Sequence, residues 1–106
     1  MTLTEALDRC MAVGPLDDGL SLLAVRCIAV DKHHCSYEMV RYSDKSSFRF
    51  GMSAQAEVER TRSWLNSCMK HSELWHDRPD EGYTDWRVCT VEQLVHWTKE
   101  QLGDKQ

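Results

Sequence analysis

A chain of 106 residues with 42% hydrophobic and 28% charged side chains is composed for one domain with its own core, and it excludes wholesale disorder. A formal charge of −4 excludes general binding to a phosphate backbone, which needs a basic surface, but leaves room for a local basic face. The longest apolar run, Leu20 to Val30, is broken by Arg26 and falls short of the roughly 18 residues of a membrane span, so no membrane partner is expected.

Thr2 and Glu5 are spaced as a capping box, and Leu3, Leu7, Cys10 and Met11 follow at helical intervals. They predict a helix over 3–13 that stops at Gly14-Pro15. Asp17-Asp18-Gly19 reads as a turn. Leu20 to Val30 is apolar on both alternating faces, as in a strand buried on two sides. A helix is the rival reading there, because Leu20, Leu23, Ala24, Cys27 and Ile28 also form a stripe. Cys35 to Tyr42 and Ser47 to Met52 alternate about Ser43-Asp44-Lys45-Ser46, which predicts a hairpin with Phe48, Phe50 and Met52 on one face and Arg49 on the other.

Ser53 is placed to cap a helix carrying Ala54, Val58, Thr61, Leu65 and Cys68, flanked by Trp64 and Met69. Pro79 and Gly82 then break regular structure. Thr84, Trp86 and Val88 share one face of a possible short edge strand. Thr90 and Gln93 form a second capping box for a helix with Val91, Leu94, Val95, Thr98 and Leu102, ending at Gly103. The expected fold class is α+β, one domain over 1–106. A small antiparallel sheet of about three strands is packed by three helices gathered on one face, in the order α-β-β-β-α-(β)-α. Tryptophans at 64, 75, 86 and 97 fall eleven apart, but their neighbours share nothing and Pro79 interrupts, so no coiled coil is read.

The five cysteines are an odd number without a CxxC pair, and the opening MTLTEALDR carries acids and no apolar run. Both predict reduced thiols, no signal peptide and a cytoplasmic setting, which is the host cytoplasm if the chain is phage-encoded. Cys35, Cys68, His71 and His76 have the chemistry of a zinc site, but their spacing matches no finger and Cys68 completes an apolar stripe; no metal or other cofactor is expected. No nucleophile elbow, phosphate loop or HExxH motif is present, so no catalytic residue is assigned and no enzyme activity is expected.

Between Ser72 and Asp85 stand five acids and one base, and the remaining 12 acids and 12 bases cancel, so the whole formal charge sits in that window. The same window holds Trp75 and Tyr83. Aromatic side chains anchor interfaces and acids steer basic partners, so Glu73, Trp75, Asp77, Asp80, Glu81, Tyr83 and Asp85 are the candidate partner-binding residues. The predicted function is a non-catalytic inhibitor or adaptor acting on a protein with a basic surface, such as a nucleic-acid-binding one; an exposed aromatic patch would equally serve a homodimer. By profile alone the chain resembles the small acidic proteins, anti-CRISPR proteins included, that phages and mobile elements use against host defence. The alternative is a nucleic-acid binder using Arg41, Lys45 and Arg49 of the hairpin, with Arg60 and Arg62, between rings that stack bases.

Overall fold

Strand formation follows the alternation in the sequence. In the computed structural model, which describes residues 1–13, 22–77 and 82–103, β1 (Leu23–Val30), β2 (His34–Val40), β3 (Ser47–Ser53) and β4 (Arg87–Cys89) form one sheet. All neighbours are antiparallel, in the order β3-β2-β1-β4. The sheet has four strands rather than about three, because the short edge strand does form and pairs Leu23 with Cys89 and Ala24 with Val88. Helices α1 (Leu3–Val13), α2 (Val58–Met69) and α3 (Val91–Gln101) complete an α+β fold in the expected chain order. Gly14-Pro15, the Asp17–Gly19 turn, Leu20 and Pro79 lie outside the described residues.

The apolar run is therefore a strand from Leu23 onward, and both of its faces are covered over Leu23 to Arg26, whereas Ile28 and Val30 at its far end are exposed. Leu23 and Val25 join Cys35, Tyr37, Met39, Phe48, Phe50 and Met52 in a core with Leu65 of α2 and Val91, Leu94 and Val95 of α3. Ala24, Val40 and Trp86 face the other way and are covered by Leu3, Ala6, Leu7 and Cys10 of α1. The helices thus divide two and one across the sheet, instead of gathering on one face. Trp86 and Val88 create the apolar patch that draws α1 there, and the small Ala24 lets the helix approach.

Both capping boxes form. Glu5 N donates to Thr2 Oγ1 at 3.2 Å and Thr2 N to Glu5 Oε1 at 2.8 Å. Gln93 N donates to Thr90 Oγ1 at 3.1 Å and Thr90 N to Gln93 Oε1 at 2.9 Å. Removing the second box in Thr90→Ala is expected to cost about 1 kcal/mol, read as a lower urea midpoint at unchanged slope. Ser53, by contrast, does not cap α2. It ends β3, and its hydroxyl accepts from Gln55 N at 3.3 Å in a local turn. Serine side chains bond nearby backbone as readily as they cap, and here the turn wins. The helix starts four residues later, with the Glu57 carboxylate accepting from Glu59 N.

A row of rings runs beneath the two-helix face. Ring centroids step from Trp97 to Tyr37 at 5.3 Å, to Phe50 at 5.7 Å, to Phe48 at 5.6 Å and to Trp75 at 5.5 Å. Trp64 leans on both Phe48 and Phe50. Arginines close the ends, Arg87 over Trp97 at 3.7 Å and Arg41 over Trp75 at 4.2 Å, as cation–π contacts favour. The one hydroxyl inside the row is satisfied: Gln101 donates to Tyr37 Oη, which shares a 2.7 Å bond with Thr98 Oγ1, and Thr98 donates to the Leu94 carbonyl.

Candidate protein-binding surface

The acid-rich segment is pinned by what its aromatic residues and backbone can bond. After α2 ends at Lys70, a single 3-10 turn (Ser72–Leu74) reverses the chain and delivers Trp75 onto Phe48. The indole N–H of Trp75 donates at 3.0 Å to the Cys68 carbonyl, in the last turn of α2, which also accepts from His71 N at 3.1 Å. His76 and Ser47 then exchange backbone hydrogen bonds at 2.8 and 3.1 Å, which fastens the segment to the outer edge of β3. Ser47 Oγ donates to the Asp77 carbonyl at 3.5 Å. Glu73 and Asp77 are left exposed, Glu73 beside His71 at 3.4 Å. A hollow of about 300 Å³ lies beside Asp77, with Arg41, Asp44 and Trp75 also in its wall.

Tyr83 and Asp85 belong to a different part of the surface. Arg26, only 6% exposed in the middle of β1, lies 3.5 Å from both the Glu38 and the Asp85 carboxylates, and its guanidinium stacks 3.7 Å above the Tyr83 ring. Arg49 reaches the second Glu38 oxygen at 3.8 Å. Two arginines thus face two carboxylates, which is what permits a charge at so buried a position. Met1 fixes the approach to this cluster: its nitrogen donates to the Thr84 and Trp86 carbonyls.

Of the seven partner-binding candidates, Glu73 and Asp77 stand together with the half-buried Trp75 at one edge of the sheet. Tyr83 and Asp85 are half-exposed on the β1 cluster, and Asp80 and Glu81 lie outside the described residues. Trp75 is not a free anchor, since its polar end and one ring face are engaged. The exposed ring nearby is Trp64, 43% accessible on α2. A tryptophan at the border of an amphipathic stripe was the signal for it, read in the sequence only as a flank. Arg26 was signalled by the one charge inside an apolar run.

The nucleic-acid candidates are not brought together. Arg41 is drawn over Trp75 and sits 3.8 Å from Asp44, while Arg62 sits 3.7 Å from Glu59 on α2. Lys45 stands on the hairpin tip in a left-handed conformation with φ 60°, and Arg60 is exposed on α2. Arg49 points to the sheet face opposite α2. Of the rings expected to stack on bases, Phe48, Phe50 and Tyr37 are 7%, 7% and 0% exposed in the core, and Tyr42 is partly buried.

Cys35 Sγ contacts the Thr98 carbonyl inside the core, while His71 and His76 are exposed on the acidic segment. Among the described residues no three His, Cys, Asp or Glu side chains cluster to hold a metal ion. Burial raises the pKa of every thiol, Cys89 up to about 12, which is opposite to the shift that activates a nucleophile. The unfolded chain loses these protons near the ordinary value of 9.0 and the native state keeps them, so the thiols' contribution to stability is constant below pH 9 and should be lost between pH 9 and 12. Urea titrations across that range check the sign; a midpoint that rises with pH contradicts it. Native alkylation at pH 8 should modify Cys27 first, since the other four thiols are buried.

No helix among the described residues is long and apolar enough to cross a membrane. Comparison of the chain with protein-family models, with curated proteins and with solved structures found no match in any of the three.

Proposed function

We propose that the protein is a non-catalytic binding module, an inhibitor or adaptor, whose acidic and aromatic edge engages the basic surface of a partner protein. The observation that carries this reading is an imbalance of availability. Glu73 and Asp77 are exposed on either side of Trp75, Glu73 with the His71 imidazole beside it, whereas Arg26, Arg41, Arg49 and Arg62 each lie within 4 Å of a carboxylate. Exposed acids steer a cationic partner and the aromatic surface supplies contact area once it arrives. A nucleic-acid-binding protein fits the chemistry, since exposed carboxylates present the charge that phosphates would. The setting that goes with this reading is a cytoplasm, and the biological class is an anti-defence inhibitor of the anti-CRISPR kind.

Partner capture by the wild type and by a Glu73→Gln/Asp77→Asn/Asp80→Asn/Glu81→Gln variant, run beside a nucleic-acid mobility shift, tests the reading. Capture should be lost in the variant, with no shift by either protein. A salt-dependent shift that needs Arg41, Lys45, Arg49, Arg60 and Arg62 would instead establish the nucleic-acid binder.

A further inference from the structure

Among the described residues the acidic segment pairs its backbone with the sheet at one place, Ser47 on the outer edge of β3. In an antiparallel pair, residues alternate between bonding across to the partner strand and pointing their N–H and C=O groups away from it. The hairpin starts with Arg41 N donating to the Ser46 carbonyl, and Ser47 turns both of its groups outward to His76. The alternation then aims the groups of Arg49, Gly51 and Ser53 outward too. The Ser53 carbonyl accepts from Ala56 N. Among the described residues nothing pairs with the outward groups of Arg49 and Gly51, and both residues are exposed.

Three features flank this run. On the helix side Trp64, 43% exposed, rests on Phe48 and Phe50 of the same strand with centroids 5.9 and 5.7 Å away. On the other side Gly51 offers no side chain, and the nearest atom to a Cβ there would be the Cys35 carbonyl oxygen at 3.9 Å. Glycine inside a strand marks places where another backbone comes close. Past the Ser47 end stand the acids, with Asp77 held against Ser47 itself.

We infer that the outer edge of β3 takes an extended segment of a partner protein as a fifth strand. One apolar side chain of that segment packs on Trp64, and a basic residue beyond it meets Asp77. Backbone pairing gives such strand addition its affinity, and the alternate side chains give it specificity. The docked strand lies ~4.8 Å outside β3, within reach of the Trp64 ring, and its opposite face has room over Gly51. The inference rests on the protein-binding reading and supplies its mode: Arg49 and Gly51 provide two N–H and two C=O groups, and the acids choose a cationic flank.

Selection of displayed random decapeptides against the intact protein, followed by amide exchange, tests it. Enriched peptides should alternate apolar residues and carry Lys or Arg at one end. They should bind at least tenfold more weakly to Gly51→Pro, which removes an outward N–H that the sheet does not use, and to Trp64→Ala. In the wild type they should slow exchange at Arg49 and Gly51, the two amides that are fast without peptide; this readout needs no variant to fold. Peptides that bind both variants like the wild type, or no enrichment over an unrelated control protein, would overturn the inference. So would protection of Arg49 and Gly51 that appears without peptide and vanishes on dilution, because a second copy of the chain then fills the edge. Peptides lost with Gly51→Pro but indifferent to Glu73→Gln/Asp77→Asn would uphold the fifth strand and overturn the acidic-surface reading. Peptides with the reverse pattern would overturn the strand alone.

Discussion

Glu38→Leu should destabilise the protein by about 3–5 kcal/mol, the cost of depriving buried Arg26 of its buried carboxylate and leaving it with the half-exposed Asp85. Glu38 is 3% exposed, and through its two oxygens it faces Arg26 at 3.5 Å and Arg49 at 3.8 Å. Its two arginines respond differently to the loss. Arg49, whose side chain is 65% exposed, returns to water, whereas Arg26, at 8%, cannot. The double variant Arg26→Met/Glu38→Leu removes both buried charges and leaves Asp85, already 55% exposed, to be hydrated. It should therefore be more stable than Glu38→Leu alone, with a coupling of at least about 1 kcal/mol in a double-mutant cycle. Strict additivity would mean that Arg26 draws its compensation from Asp85 and Tyr83 instead.

Phe48→Ala is expected to cost a similar 3–5 kcal/mol, at the upper end for a buried residue, because its ring touches three others. It lies between Phe50 at 5.6 Å, Trp64 at 5.9 Å and Trp75 at 5.5 Å, and it holds the acidic segment to the sheet through Trp75. Loss of the ring should red-shift indole emission as Trp64 and Trp75 gain water, and should lower the urea midpoint. A fall under about 1 kcal/mol with unchanged emission would contradict this packing.

Where one local force dominates, the sequence was a good guide. Alternation placed the 35–52 hairpin and the inward Phe48 and Phe50, and the Thr90/Gln93 spacing located the start of α3. The face shared by Trp86 and Val88 was legible as well, for the same reason. What it could not give depends on which surfaces meet. Nothing local says that α1 lies opposite α2 and α3, because an amphipathic helix reads alike on either side of a sheet. Trp75 resembled a free anchor because its partners, Phe48, Arg41 and the Cys68 carbonyl, come from the hairpin and from the end of α2. The hairpin arginines were hard to read for a related reason: Arg41 and Arg49 lie beside carboxylates that a charge count along the chain cannot pair with them.

The acidic window proved to be two surfaces. Tyr83 and Asp85 complete the Arg26 cluster, while Glu73 and Asp77 are exposed near the edge of β3. The proposed recognition therefore centres on that edge, which carries the outward backbone groups of Arg49 and Gly51, the exposed indole of Trp64 and the exposed acids Glu73 and Asp77.

The most direct test of recognition at this acidic edge is the association rate of the captured protein partner measured against sodium chloride. For the wild type the rate should fall steeply with salt, and the Glu73→Gln/Asp77→Asn/Asp80→Asn/Glu81→Gln variant should associate about tenfold more slowly at low salt with a nearly flat dependence. Equal rates and equal salt slopes for the two proteins would contradict it.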